Sequence, residues 1–429
     1  MISHPTWRQN PQVLLVSHNF PPVVGPESYL VYLNAVSLHR AGFQVTVLTS
    51  SHEFKHTKQQ YDSALLDALP SAIKVLRTVS YDAWFKAKFP RVGGVALQAM
   101  ERTFLPESYM MWLPSSYRRG RRHLAENPSI IYSRAQKHVS NVCGWRLKRT
   151  TGLPWVAHFS DPWSMHLKAP LARCLAKIFE RRILRDADKV VFVTQKTADV
   201  VMRQYPEAWQ KKINIIPHGY AKEVSAPNPI HGPSSGPLRL LHAGAFYPGQ
   251  RTPETLFKAL RVLHNKRSLE GRLSLTLLGG ENENYRGMAQ SLGLAGLVSF
   301  EPSVSLSECH RLLDECDLPV MIDTLGCEGI FLPSKLIEYF AFQKPVLGIT
   351  EPASAVSRVL KDCGLPVADQ TDAAQIAGVL EDFLQQWELG TWGLPASVKE
   401  KMASYQIDRV NQPLFEILEG LQQQVRAVR

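Results

Sequence analysis

A short stretch near residue 335 carries side chains suited to binding an anion. Pro333 and Ser334 have the pattern of a helix start, and Lys335 follows them directly. The first N–H groups of a helix are unpaired and carry the positive end of the helix dipole, so together with the lysine they would attract a phosphate. Glu338 lies on the same face, where its carboxylate can accept hydrogen bonds from ribose hydroxyls. The alternative is a lysine–glutamate pair on a solvated helix face.

A second stretch, "LHAGAFYPGQRTPETL", has a similar composition. A predicted strand ends at Ala243, Gly244 and Gly249 bracket a loop, and Arg251 stands just before the next helix start. A guanidinium group beside free helix N–H groups favours an anion, because charge and donors point the same way. A surface arginine beside an ordinary turn is the alternative.

These residues belong to a chain in which short β-branched runs alternate with longer amphipathic stretches. This alternation predicts parallel sheets covered by helices. Strands are predicted at 13–17, 43–50, 155–160, 189–194 and 213–219, and again at 238–243, 273–279, 297–300, 318–322 and 345–349. Between the two groups, residues 221–237 are dense in Pro, Ser and Gly without periodicity, which is typical of a linker.

We therefore predict an α/β fold with two Rossmann-like domains that face a cleft, where ligands usually bind. The first domain covers residues 1–220, and the second covers residues 238–390. Residues 391–429 form a helical C-terminal segment that packs back toward the first domain.

The composition limits the classes of partner. The chain has 429 residues and a formal net charge of +11, which attracts anionic surfaces or substrates. Much of this charge lies in the segment 81–123, where aromatic residues are interleaved with it, and this favours an anionic membrane surface over nucleic acid. A solvated basic face beside ordinary core aromatics is the alternative. No nucleic-acid recognition motif accompanies the charge. No apolar run is long enough for a membrane span or a signal peptide, so we expect a cytoplasmic protein, peripheral on the inner face of the cell membrane.

Taken in order, the motifs resemble the family-four retaining glycosyltransferases of the GT-B fold. The resemblance covers some 330 residues in the segments 21–25, 193–219, 244–251, 291–323 and 333–346. It implies transfer of a sugar from a nucleotide sugar, UDP or GDP being the expected nucleotides, to a glycan, glycolipid or other acceptor with retained anomeric configuration. Surface polysaccharide or glycoconjugate synthesis is the implied setting.

The resemblance also implies that the first domain, 1–220, receives the acceptor and that the second domain, 238–390, binds the nucleotide-sugar donor. It implies roles for individual residues as well. Arg251 and Lys335 would hold the diphosphate beside Gly244 and Ser334, and Glu338 would hold the ribose. No metal ion or other cofactor is implied, because arginine, lysine and helix termini can balance the charge of a departing diphosphate.

Two positions depart from the family pattern. Many members have two glutamates eight positions apart, but the residue eight before Glu338 is Ile330, and Glu328 is the nearest substitute. We treat Glu328 as a candidate for sugar binding. In the first loop, Gly25 is followed by Pro26, which has no backbone N–H to offer to a phosphate or sugar.

The acceptor side is predicted from the stretch "VAHFSDPWS". His158 and Asp161 lie at the carboxyl end of a strand, where either can orient an acceptor hydroxyl or accept its proton. Asp161 before a proline is also a common helix-cap arrangement. His18 in the first loop is a further candidate of the same kind.

The sequence also bears on three other functional classes. The stretch 52–56, "HEFKH", matches the zinc-protease pattern, but polar residues follow it where a core helix is required. The first loop lacks the glycine spacing of a nicotinamide-dependent dehydrogenase. A catalytically silent protein that binds a nucleotide sugar or a partner stays open, because the first glutamate is displaced.

Overall fold

The computed structural model describes residues 11–51, 61–135, 137–221, 236–279, 283–326 and 329–427. The chain divides into two compact units. The first runs up to His218 and takes in the chain again from Ile407, and the second is Gly219–Gln406. Residues 391–406 thus belong to the second unit, whereas a single segment was predicted over 391–429. Most of the predicted linker, residues 222–235, lies outside the described residues.

The first unit is built on a parallel sheet. Within the described residues its strand order is β3-β2-β1-β4-β5-β6-β7. The strands are β1 (Gln12–Val16), β2 (Gln44–Ser50), β3 (Lys74–Thr78), β4 (Ile130–Ala135), β5 (Trp155–Phe159), β6 (Lys189–Phe192) and β7 (Ile213–Ile215). The helices are α1 (Pro26–Arg40), α2 (Ala64–Asp67), α3 (Tyr81–Lys88), α4 (Gly93–Thr103), α5 (Leu113–Glu126), α6 (Val139–Thr151), α7 (Pro170–Asp186) and α8 (Gln195–Met202).

The central strands of this sheet are buried on both faces, as expected of a parallel sheet covered by helices. Helix α6 lies directly on β4 and β5 because it carries Gly144 where it crosses them. A Cβ atom at this position would lie 2.6 Å from Trp155 Nε1 and 2.8 Å from Ser133 Oγ. Only glycine allows this approach without displacing the helix.

The second unit contains the other parallel sheet. In the part of the chain that the structure describes, its order is β10-β9-β8-β11-β12-β13. The strands are β8 (Leu238–Ala243), β9 (Leu273–Leu278), β10 (Val298–Glu301), β11 (Leu318–Ile322), β12 (Leu347–Thr350) and β13 (Val367–Asp369). The helices are α9 (Glu254–Lys266), α10 (Glu283–Ser291), α11 (Leu306–Glu315), α12 (Ser334–Phe340), α13 (Ala355–Cys363), α14 (Ala373–Glu388) and α15 (Ala396–Ala403).

The C-terminal helices α16 (Ile407–Val410) and α17 (Gln412–Ala427) complete the first unit. The Phe43 and Phe415 ring centroids are 6.0 Å apart, and Arg40 Nη1 lies 3.6 Å from Asp408 Oδ2. These contacts join the end of the chain to the α1–β2 region.

The predicted α/β class with two parallel sheets is confirmed. The predicted basic segment 81–123, however, is not one exposed face. Helices α3 and α4 expose Trp84, Phe89 and Phe104, each at 40–42%, whereas Trp112 is fully buried and donates a hydrogen bond to Thr78. No described helix is both long and apolar enough to cross a membrane.

Candidate functional site

The second unit brings Gly244 and Lys335 together at the carboxyl end of β8. Helix α12 is fastened there, because the Ala243 N–H donates to Tyr339 Oη at 3.1 Å. Gly244 has φ +137°, and a Cβ atom on it would lie 3.0 Å from Lys335 Nζ. The position therefore favours glycine both for its backbone conformation and for the space that the ammonium group occupies.

Arg251 is held in the loop between β8 and α9. Its Nη2 donates to Thr324 Oγ1 at 2.8 Å, and its guanidinium group lies 5.6 Å from the centroid of the Tyr247 ring. Its Nε is buried and has no hydrogen-bond partner among the described residues. A buried donor without a partner costs free energy, so this atom favours the binding of a ligand that accepts its hydrogen bond.

Lys335 also carries a buried donor group without a partner. Although the residue is partly exposed, its Nζ is buried and makes no hydrogen bond within the described part of the chain. Burial and the neighbouring Arg251 hold the pKa of Lys335 well below its ordinary value of 10.5, against the opposing effect of Asp323. An anion bound beside these two cations would offset both the burial of an unpaired charge and the repulsion between Lys335 and Arg251.

Asp323 closes the inner side of this cluster. Its carboxylate accepts hydrogen bonds from Thr350 Oγ1 and from the Thr324 N–H, both at 2.7 Å. Burial nevertheless raises the pKa of Asp323 above its ordinary value. Asp323 and Thr324 were missed by the sequence analysis, although polar residues directly after a buried strand are a usable signal.

Glu338 faces a histidine that the sequence analysis also missed. Its Oε1 lies 3.7 Å from His310 Nε2, and neither atom has a hydrogen-bond partner among the residues described. Ser334 begins α12, which has only seven residues. Glu328 lies outside the described residues, as does the stretch 52–56, and Ile330 at the displaced position is 2% exposed.

In the first unit, His18 is packed into the loop after β1. Its Nδ1 lies 2.8 Å from Asn19 Oδ1 and its Nε2 lies 3.2 Å from Ser80 Oγ. The rings of Tyr109 and Trp112 approach it edge-on at 4.7 and 5.3 Å. Burial lowers the pKa of His18 to about 4, so the imidazole is neutral at pH 7.

Polar groups gather beside this loop at the start of α1. Gly25 precedes the helix with φ +152°, and a Cβ there would meet nothing within 4 Å. Glu27 accepts hydrogen bonds from Asn19 Nδ2 at 3.0 Å and from the Lys137 N–H at 3.1 Å. The Lys137 ammonium group lies 4.7 Å from the Tyr109 ring centroid.

Glu107 is the most perturbed carboxyl group here, and nothing in the sequence singled it out. Its Oε1 accepts a hydrogen bond from the Val139 N–H at 2.6 Å, at the start of α6. Burial raises the pKa of Glu107 to about 7, against the lowering effect of that hydrogen bond and of Lys137. The group therefore changes charge near neutral pH.

The two predicted acceptor-side residues have different surroundings. His158 is 1% exposed, with Nδ1 2.8 Å from Tyr132 Oη and 3.3 Å from Arg134 Nη1. Burial and then Arg134 hold the pKa of His158 well below 6.5. Asp161 is partly exposed. Against the lowering effect of burial, the pKa of Lys137 is raised by Tyr109, Glu27 and Glu107 and, least of all, by Asp161.

Asp161 is not the cap of the nearby helix. The 3₁₀ helix that follows is Ser164–His166, and Trp163 occupies its N-cap position.

Comparisons with known proteins agree with this architecture. The glycosyl transferase 4-like domain family matches residues 25–219. No curated protein sequence matches the chain.

Solved structures are similar over nearly the whole length. Sucrose-phosphate synthase from Thermosynechococcus elongatus has a TM-score of 0.66 at 16% identity, covering 96% of this chain and 99% of its own. Anabaena HepE in complex with UDP has a TM-score of 0.63 at 14% identity, covering 96% and 100%. A glycosyltransferase from Rickettsia africae has a TM-score of 0.61 at 13% identity, covering 96% and 98%.

Proposed function

We propose that this chain, which matches the glycosyl transferase 4-like domain family over residues 25–219 and is similar in fold to solved glycosyltransferases, moves a sugar from a UDP-sugar or GDP-sugar to a glycan or lipid-linked acceptor. We propose further that the anomeric configuration is retained and that no metal ion takes part. One observation carries the donor assignment. The ammonium group of Lys335, which lies against Gly244, and the guanidinium Nε of Arg251, in the loop that begins at Gly244, are buried without hydrogen-bond partners among the described residues.

A nucleoside diphosphate fits this cluster chemically. Its oxygens accept the hydrogen bonds that Arg251 and Lys335 leave unmade, and its charge offsets the repulsion between the two cations. The similar HepE structure contains UDP, which supports a uridine nucleotide here. Glu338 then binds ribose hydroxyls, with His310 holding the carboxylate in position.

The same groups would assist the reaction. Cleavage of the bond between sugar and diphosphate increases negative charge on the leaving phosphate, so Arg251 and Lys335 interact more strongly in the transition state than in the ground state. These two side chains supply the charge balance that Mg²⁺ supplies in other transferases, which supports metal-independent transfer. Ribose does not change charge, so Glu338 serves affinity rather than rate.

Donor-titrated kinetics test the donor site. Arg251→Ala and Lys335→Ala are expected to lower both kcat and donor affinity, whereas Glu338→Gln chiefly raises the donor KM. Lys258→Ala, on the exposed side of α9, is the matched charge control. Normal kinetics in the first two variants would contradict the assignment of the donor site. A folded wild type that binds UDP but transfers from neither UDP-sugars nor GDP-sugars would favour the silent binding protein.

On the acceptor side, Asp161 is the stronger candidate to orient the acceptor hydroxyl or accept its proton. It is partly exposed at a strand end beside Lys137, whereas His158 and His18 are buried and neutral. Asp161→Asn is expected to lower kcat far more than donor affinity. Unchanged turnover would exclude a catalytic role for Asp161.

We also infer that the hairpin of α3 and α4 contacts an anionic membrane. It exposes Trp84, Phe89 and Phe104 beside Lys86, Lys88 and Arg91. Each basic residue near an anionic surface contributes on the order of 1 kcal/mol, weakened by salt.

Vesicle sedimentation tests the hairpin. Trp84→Ala/Phe89→Ala is expected to reduce sedimentation with phosphatidylglycerol vesicles, while Leu171→Ala/Ile178→Ala, which removes two exposed apolar side chains of α7, leaves it unchanged. If the wild type fails to sediment at low salt, the membrane proposal is wrong.

A further inference from the structure

A second basic site lies in the first unit, in a pocket between α6 and α7. Trp145, Arg146, Arg149 and Thr150 of α6 line it together with Arg182 and Arg185 of α7, and the cavity has a volume of about 570 Å³. Both helices run from the carboxyl end of one strand to the amino end of the next, and these residues lie toward their last turns. The pocket is therefore at the opposite end of the sheet from Asp161 and His158.

The positive charge of this pocket is largely uncompensated. Arg185 is paired with Asp186, with Nε to Oδ1 at 2.7 Å and Nη2 to Oδ2 at 3.1 Å. That carboxylate also accepts the Trp145 Nε1–H at 2.9 Å, so it is already engaged. The other three arginines have no carboxylate within ion-pair distance in the described ranges.

Aromatic rings hold two of these arginines in place. The Arg182 guanidinium group lies 5.5 Å from the Trp145 ring centroid, and that of Arg146 lies 5.4 Å from the Tyr117 ring centroid. Stacking of this kind restricts a long side chain without using its N–H donors. The donors thus remain available to a ligand in the pocket.

The helix dipole explains only part of the arrangement. Arg149 and Arg185 lie in the last turns of their helices, where a cation is favoured. Arg146 and Arg182 lie one turn earlier, where that effect is weak. Four guanidinium groups around one cavity repel one another, and a bound anion would offset that repulsion.

We propose that the pocket between α6 and α7 binds a phosphate-bearing group, with Arg149 and Arg182 contributing charge-assisted hydrogen bonds from the two walls. Phosphate oxygens match the paired N–H donors of guanidinium, which is why arginine clusters select phosphate. The group can belong to a soluble phosphate compound or to a phospholipid headgroup. This site is independent of the proposed donor site.

Calorimetry with inorganic pyrophosphate tests the soluble source. All proteins carry Lys335→Ala, which weakens the proposed donor site equally throughout. Arg149→Ala/Arg182→Ala is expected to weaken binding at least about tenfold, because charge-assisted bonds from two arginines are lost. Lys177→Ala/Arg181→Ala removes two exposed charges from α7 without touching the pocket, and it is expected to change affinity less than about twofold.

Sedimentation with phosphatidylglycerol vesicles, against phosphatidylcholine vesicles, tests the lipid source. Loss of sedimentation in the pocket variant but not in the α7 control would assign the group to a headgroup. A difference seen only with pyrophosphate would assign it to a soluble compound. If the pocket variant and the control behave alike in both assays, the proposal is overturned. Both variants alter exposed residues, and equal melting temperatures would show that they are folded.

Discussion

Replacing Lys335 by methionine should make the unliganded protein more stable and its nucleotide complex weaker. Methionine keeps the length of the side chain and removes the ammonium group that is buried without a partner. The two effects have opposite signs because the same group is costly in the empty site and favourable in the filled one. An ordinary structural lysine would not show this reversal.

The magnitudes follow from the contacts. An unpaired buried donor costs about 1–3 kcal/mol, and methionine removes that cost along with the repulsion from Arg251. A hydrogen bond to a charged group contributes about 1.5–3 kcal/mol, so loss of the contact to the diphosphate should weaken UDP binding roughly 10- to 150-fold. At a saturating UDP concentration, the stabilisation that UDP confers should fall by the same 1.5–3 kcal/mol, approximately.

The stability gain should also depend on pH. The pKa of Lys335 in the folded protein lies well below 10.5, its value in the unfolded chain, so between the two values the unfolded chain binds the proton and the folded protein does not. Stability of the wild type therefore rises with pH across that window. The advantage of Lys335→Met is expected to be largest below the folded pKa and to vanish toward pH 10.5.

Thermal melting with and without UDP, between pH 7 and pH 10.5, measures all three effects. Lys258→Met, on the exposed side of α9, is the control for loss of one positive charge. If Lys335→Met melts below the wild type without nucleotide and retains the full UDP shift, Lys335 is a structural lysine and the reasoning fails.

Three further outcomes are expected. Burial raises the pKa of Glu107 to about 7, so Glu107→Gln should melt above the wild type at pH 8, by a margin that shrinks toward pH 5. Burial lowers the pKa of His138 to about 3, so the wild type should lose stability as pH falls below 6.5, and His138→Phe should lose less between pH 7 and pH 4.5. Gly244→Ala, which crowds the neighbouring ammonium group, should weaken UDP binding about tenfold by calorimetry, while Gly296→Ala, with open space around it, should leave it unchanged.

The sequence predicted the elements that bury long apolar runs. Strands β1, β2, β5, β8, β9, β11 and β12 were predicted within one or two residues, because internal strands of a parallel sheet are nearly continuous in apolar residues. The edge strand β10, which is exposed on one face, was predicted as closely. Strands β3 and β13 were missed because they lie at sheet edges and contain charged residues. Strand β4 was missed although it is fully buried, since Ser133 and Arg134 interrupt its apolar pattern.

The candidate site was predictable only where a motif fixes the spacing. Lys335 and Glu338 share one short helix, so their proximity follows from local geometry. His310, by contrast, comes from α11, and its approach to Glu338 depends on how two helices pack. The pairing of Glu107 with the start of α6 has the same origin, because 32 residues separate Glu107 from Val139. Contacts of this kind carry no signal in a single sequence.

The close contact at Gly144 ties together two surfaces with different chemistry. Helix α6 has 13 residues and is therefore about 20 Å long. Its first N–H is held by Glu107 at the end of the sheet with the proposed acceptor residues, and its last turns carry Arg146 and Arg149 at the opposite end of the sheet. Any side chain at residue 144 would push the middle of α6 away from β4 and β5, so both ends of the helix would shift together. A substitution there would therefore disturb both the contact with Glu107 and the arginine pocket, although residue 144 belongs to neither.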